Sequence, residues 1–268
     1  SQEEIARELC RYWREVFRPK RCHSDKLRQW ISEDIEPGGL SLSGTNVWDL
    51  DAKDFAEVLS KVPSSSPGPD GIPFEAYKTG AVMGTAVNIL ADVINDLIYG
   101  QLEPPAWFNE AWLVLLPKKP HCVDPDRGDI YAPDTMRPLS IVNTYNRIIA
   151  NVFRGILEPL AAKFVGPSQR GFLKGRLITQ NIAEMDLAQI LEIKYGRRAA
   201  TVLFDFKAAF PNVSHDYIWE VLSHIGIPPH IILSYQRLYS FNMRKLNVQG
   251  KIFDSDLYQV IKLSLIHI

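Results

Sequence analysis

An aspartate that closes an apolar run has the clearest chemical prospects in this 268-residue chain. Ala199 to Phe204 is long enough for a central strand and terminates in Asp205. A carboxylate beyond the C-terminal end of a strand stands where open α/β sheets bind ligands, and hard cations take carboxylate oxygens. The same position suits a helix N-cap, which is the commoner use of an isolated aspartate. A second candidate is a zinc site shared by Cys22-His23 and His121-Cys122, but adjacent ligands on two distant loops follow no common zinc spacing. The three cysteines lack a CxxC pair, which fits a reducing compartment and an intracellular setting, nucleus or cytoplasm. No GxxxxGK[ST] sequence is present, which argues against a P-loop phosphotransferase.

Charge is uneven along the chain. The net value is −1, yet Glu33 to Glu110 holds 13 acidic residues against 3 lysines, while Ala132 to Asn181 holds 7 basic residues against 2 acidic ones. A polyanion could meet the second stretch while the whole chain stays neutral; a solvated basic surface is the plain alternative. With 46% hydrophobic and 23% charged residues the composition is that of a globular protein. No apolar run is read as approaching the roughly 20 residues of a bilayer span, so no membrane partner is expected. Oligomeric state is not legible.

The elements that must position these residues read as mixed helix and strand. Ile5, Leu9, Tyr12, Trp13 and Val16 recur at helical spacing between Glu3 and Phe17. A short helix around Lys26 to Ile31 leads into Glu36-Pro37-Gly38-Gly39, and Asp51 is placed to cap a third helix through Leu59. Ser64 to Pro73 is dense in turn formers and is either a linker, which composition favours, or a stiff structured turn. A long helical stretch from about Phe74 to Tyr99 follows. Ala111 to Leu116 is a buried strand ending on Pro117-Lys118-Lys119-Pro120, His121 to Thr135 a loop, and Arg137 to Ile141 a second strand. Helices are expected over Tyr145 to Phe164, Leu177 to Ile193, His215 to Ile225 and Pro229 to Tyr239, with a strand from Lys245 to Val248.

Five motifs in order resemble those of reverse transcriptases from non-LTR retrotransposons, over about Ser64 to Gly250. Pro67-Gly68-Pro69-Asp70-Gly71 is similar to the turn that opens the domain, Leu116-Pro117-Lys118-Lys119 to a fingertip strand, and Arg137-Pro138-Leu139-Ser140 to the segment after it. Gln169-Arg170-Gly171-Phe172-Leu173-Lys174-Gly175-Arg176 resembles a template-side stretch, and Phe204-Asp205-Phe206-Lys207-Ala208-Ala209-Phe210 the first palm motif. The resemblance implies an α+β fold: right-hand polymerase fingers and a partial palm, helix-rich with a small, mainly antiparallel sheet. It divides the chain into a helical N-terminal extension (1–62), fingers (63–198) and partial palm (199–268).

The resemblance also implies roles. Asp205 would be the catalytic, metal-binding carboxylate for two Mg²⁺ ions. Lys118, Lys119, Arg137, Phe206 and Phe210 would contact the nucleotide, the lysines as mobile point charges, the arginine as a planar fork, and Phe210 against the sugar, excluding a 2′-hydroxyl by bulk. Gln169, Gly171, Phe172 and Arg176 would line the template, the glycines permitting close backbone approach and Arg176 neutralising a phosphate. RNA template, DNA primer and deoxynucleoside triphosphates are the implied partners. Taken alone, the tip lysines read as solvated, the glycines as a turn and Phe210 as core.

Two departures from the family pattern stand out. Pro211 follows the aromatic where relatives carry a second aspartate, and no Asp-Asp pair occurs anywhere. Tyr258 to Lys262 resembles the approach to a Gln-Gly motif, after which Leu263 to Ile268 resembles a translated sequencing adapter, so the fragment is expected to be truncated and inactive as it stands. Group II intron and retron enzymes are the alternative within the class. A catalytically dead RNA-binding remnant is the alternative outside it.

Overall fold

The computed structural model describes residues 1–35, 46–100, 102–206 and 209–255. The Glu36-Pro37-Gly38-Gly39 loop, Lys207-Ala208 and the Tyr258 to Ile268 segment lie outside them. Among the described residues the helices are α1 (Gln2–Val16), α2 (Ser24–Asp34), α3 (Ala52–Lys61), α4 (Phe74–Lys78), α5 (Gly80–Ile98), α6 (Thr144–Phe164), α7 (Thr179–Lys194), α8 (Ala209–Asn212), α9 (His215–His224) and α10 (Pro229–Tyr239). The strands are β1 (Ala111–Pro117), β2 (Cys122–Asp124), β3 (Gly128–Ile130), β4 (Met136–Val142), β5 (Arg244–Val248) and β6 (Lys251–Ser255).

Local chemistry sets the helix starts. Ser1 and Glu4 cap α1 reciprocally. Asp51 accepts from the Lys53 amide at 2.7 Å, while Asp54 accepts from the Asp51 amide at 2.8 Å, so the expected cap of α3 is present. The single long helix expected from Phe74 to Tyr99 is divided instead, because Thr79 is extended (φ −67°, ψ 126°) between α4 and α5. Against the expectation that no apolar stretch approaches a bilayer span, α5 has the length and mean hydropathy (1.4) of one. Its Val87, Leu90, Ala91, Ile94, Leu97 and Ile98 are buried in the larger core, against α3, α6 and α10.

Two cores result. The larger is helical, around α3, α5, α6 and α10, with Phe55, Leu59, Ile94, Phe153 and Tyr235 almost wholly enclosed. The smaller lies under a mixed sheet of order β4-β1-β5-β6, in which β1 and β5 are parallel and the other pairs antiparallel. Ala6, Leu9 and Trp13 of α1 and its C-cap Phe17 pack there on Leu113, Leu246 and Val248. β2 and β3 form a separate hairpin within the segment expected to be a loop.

The Ser64 to Pro73 segment is not a linker. Gly71 (φ 72°) closes a turn by donating to Gly68 O at 3.0 Å, and the Asp70 amide donates to Asn143 Oδ1 at 3.1 Å. Arg147 Nη1 and Nη2 reach back to Ser65 Oγ and Ser66 O, at 2.6 and 2.7 Å, with the guanidinium over the Phe74 ring. Further buried amides continue the chain of bonds. Asn143 donates to Tyr145 Oη at 3.0 Å and Tyr145 to Phe108 O, while Asn146 donates to Asn109 Oδ1 and Asn109 to Ser240 O. Burial pushes the Tyr145 hydroxyl up to about 12, so it stays a donor at neutral pH.

A Cβ on Gly68 would sit 2.5 Å from the Asn143 backbone nitrogen and 2.6 Å from its Cα, closer than nonbonded atoms come. Gly68→Ala is therefore expected to lower stability by roughly 1–3 kcal/mol, the range for overpacking a filled site. Urea unfolding with an unchanged midpoint would contradict this packing.

Candidate active site

Lys118, Lys119 and Arg137 are positioned by the β1–β4 ladder. Arg137 lies opposite Leu116, and the Lys118 amide donates to Thr135 O at 3.0 Å, carrying the pairing one step past Pro117. Residues two apart on a strand share a face, so Lys118 and Arg137 form a diagonal pair at one end of the hairpin. Lys119 follows directly. All three are exposed, and none makes an ion pair among the described residues.

The glycine-rich stretch between α6 and α7 is held by its own arginines. Arg176 donates through Nη1 to Gly166 O and Gln169 O at 2.7 and 2.8 Å, and through Nη2 to Val165 O at 3.1 Å. Arg170 grips Glu184 of α7 through both terminal nitrogens, at 2.7 and 2.6 Å, and also Asn181. That pair raises the arginine and lowers the glutamate from their ordinary values. Gln169 donates to Gly171 O at 3.2 Å. Phe172 and Gly175 both take left-handed backbone, φ 64° and 80°.

Most of the positive charge read from this region is therefore engaged inside the fold. Arg147 holds the opening turn, Arg154 pairs with Glu158, and Arg170 and Arg176 fix the loop. Arg137 and Lys174 remain on the surface.

Asp205 is exposed, on a segment that is not a strand. This corrects the expectation of a central strand over 199–204. No strand pairs with that run among the described residues, and Leu203, Phe204 and Phe206 are 78%, 87% and 81% exposed. Strand propensity expresses packing on a half-covered pleated surface, and neither partner nor cover is present among the described residues. α7 likewise has no buried residue. After Asp205 the chain forms α8, where Phe210 is half-buried and meets Phe172 edge-on, ring centroids 6.5 Å apart at 73°. That contact joins the template-like stretch to the aspartate motif. No hydrogen bond or ion pair among the described residues joins Lys118 or Arg137 to Asp205. Beside α8 an open cleft of about 420 Å³ is lined by Arg18, Lys20, Arg21, Pro211, His215 and Asp216.

A two-ion centre needs several oxygens around each cation. Among the described residues no three His, Cys, Asp or Glu side chains gather, so Asp205 does not by itself fit a two-metal site, and the Cys22-His23 and His121-Cys122 pairs do not assemble one. The residues that sequence reading missed are the buried amides. Asn109, Asn143 and Asn146 are almost fully enclosed. The polar run Asn143-Thr144-Tyr145-Asn146, directly after the apolar end of β4, was the available signal.

The sequence profile described as reverse transcriptase (RNA-dependent DNA polymerase) matches residues 116–260, just over half of the chain. The chain is similar to the "Retrovirus-related Pol polyprotein from type-2 retrotransposable element R2DM" of Drosophila melanogaster, 26% identical over 244 residues, which are 89% of this chain and 20% of that protein. It is 25% identical over 189 residues to the "Transposon TX1 uncharacterized 149 kDa protein" of Xenopus laevis, 70% of this chain and 14% of that protein. A "Retrovirus-related Pol polyprotein from type-1 retrotransposable element R2" of Popillia japonica is 25% identical over 165 residues, 61% of this chain and 20% of that protein. The chain thus spans a fifth or less of these relatives.

If Arg176 is the staple of the 165–176 loop, Arg176→Ala raises chymotryptic cutting at Phe172 roughly tenfold, the effect of losing about one charge-assisted hydrogen bond. Arg176→Lys does not restore protection, because a point charge cannot span three carbonyls as the planar fork does. Unchanged cutting in Arg176→Ala would show that the loop is held otherwise.

Proposed function

We propose a function on the premise that the chain belongs to the reverse transcriptase (RNA-dependent DNA polymerase) family: it contributes the fingers and first half of the palm to a non-LTR retrotransposon polymerase. The family acts on nucleic-acid templates and nucleotides with divalent metal ions. The finer reading is RNA-directed DNA synthesis from a DNA primer and deoxynucleoside triphosphates, with Mg²⁺ as the ion, in the nucleus or cytoplasm. The division into an extension (1–62), fingers (63–198) and partial palm (199–268) belongs to the same proposal.

The observation that carries this reading is the diagonal pair of Lys118 and Arg137, exposed on one face of the β1–β4 tip without an acidic partner among the described residues. A triphosphate is the ligand that two such neighbouring cations suit, one a mobile point charge and one a planar fork. Lys119 adds a third positive group. Phe206 and Phe210 contact the nucleotide in this assignment, Phe210 against its sugar. Gln169, Gly171, Phe172 and Arg176 form the template side, where the engaged guanidinium of Arg176 shapes the loop that meets the strand. Asp205 supplies one oxygen ligand to the metals, and further carboxylates must come from outside the described residues. Its exposure leaves the carboxylate open to them.

In a protein carrying this chain within its complete polymerase domain, Asp205→Ala is expected to reduce primer extension roughly a thousandfold or more, the loss of several kcal/mol of metal-borne stabilisation. Template–primer affinity, read by gel shift, stays within a few fold because the cationic contacts remain. Undiminished synthesis would reject Asp205 as the metal-binding carboxylate.

A further inference from the structure

We propose that Phe172 is a positioning residue for sugar discrimination, bracing the Phe210 ring from the glycine-rich loop. This rests on the reading of Phe210 as the aromatic against the nucleotide's sugar. Three observations carry it. Phe172 holds left-handed backbone at φ 64°, a conformation that costs an aromatic residue free energy and a glycine almost none. Its side chain is 62% exposed, so no core requires a phenylalanine there. Its ring meets Phe210 edge-on, with centroids 6.5 Å apart.

A strained residue persists where its surroundings over-determine it, and strain of this kind gathers at working sites. The surroundings here are visible. Arg176 ties the carbonyls of Val165, Gly166 and Gln169, and Arg170 ties the loop to α7, so the chain on either side of Phe172 is fixed before its ring is placed. Phe210 has weaker support from its own element. α8 is a four-residue turn with no buried residue and Pro211 inside it, too short to stand as a helix alone.

Excluding a 2′-hydroxyl requires the Phe210 ring to hold its place, because a gate that can retreat by an ångström admits the extra oxygen. An edge-to-face partner anchored on a separately pinned loop supplies that resistance. The same contact makes sugar selection sensitive to the template-side loop, which a purely template-contacting phenylalanine would not do.

The test is single-nucleotide primer extension by the polymerase containing the complete domain, comparing kcat/KM for deoxyribonucleotide and ribonucleotide. Phe210→Val collapses the ratio. Phe172→Gly lowers it by roughly two- to tenfold, the worth of one aromatic pair, through a gain in ribonucleotide use, and its thermal midpoint does not fall because the left-handed strain is relieved. Phe172→Asn, also at home in that backbone, repeats the loss, and Phe172→Tyr keeps the parent ratio. Adding Phe172→Gly to Phe210→Val changes the ratio no further. A Phe172→Gly enzyme with the parent ratio and weakened template–primer binding would overturn the brace while leaving the gate intact. A Phe210→Val enzyme with the parent ratio would overturn the gate reading itself, and the brace with it.

Discussion

Gly68 lies against the backbone of Asn143 with no room for a side chain between them, and the junction of sheet and helical core is fixed around that contact. Asn143 is the residue at which β4 gives way to α6, so the opening turn grips the junction between the sheet and the helical core. Buried amides are costly unless bonded, which makes their satisfaction a positional constraint as well as a stabilising one. Asn143, Asn146 and Asn109 meet that demand by linking the turn, the start of α6, the segment before β1 and the end of α10. The β1–β4 pair runs from this anchored base to Lys118 and Arg137 at its other end, where the chain continues into β2 and β3.

Rigidity and charge are distributed unequally around the candidate site. Most arginines of the basic region are engaged in holding the fold, which leaves Arg137 at the end of β1–β4 and Lys174 in the loop before α7 on the surface. The aspartate segment is the opposite case, with large apolar side chains exposed beside Asp205. A run such as Val202-Leu203-Phe204 has no stable place in water. Exposed apolar patches of this kind mark interaction surfaces, and the carboxylate is set in one.

Much of the scaffold was legible in the residues themselves. The α1 periodicity, the Asp51 cap, the apolar run of β1 and the stripe along α6 are local signals, and local signals survive into the fold. The failures were non-local. Ser64 to Pro73 has the composition of a linker, and only its contact with Asn143, over 70 residues away, makes it an anchor. The run ending at Phe204 has the composition of a strand, yet a strand needs a neighbour that composition does not supply. The helix break at Thr79 and the hairpin at Cys122 to Ile130 turn on single backbone angles and short pairings that patterning does not resolve. At the candidate site the motif order nominated the residues, while the Phe172–Phe210 contact and the engagement of Arg170 and Arg176 required coordinates.

The central claim is that Asp205 binds a divalent ion beside the nucleotide. Iron(II) in place of the native ion, with ascorbate, cuts the backbone next to wherever it is held. In the polymerase containing the complete domain, with template–primer and nucleotide bound, cuts are predicted within a few residues of Asp205 and are lost in Asp205→Ala. Cuts confined to other parts of the chain, or cuts at this position that survive Asp205→Ala, would contradict the account.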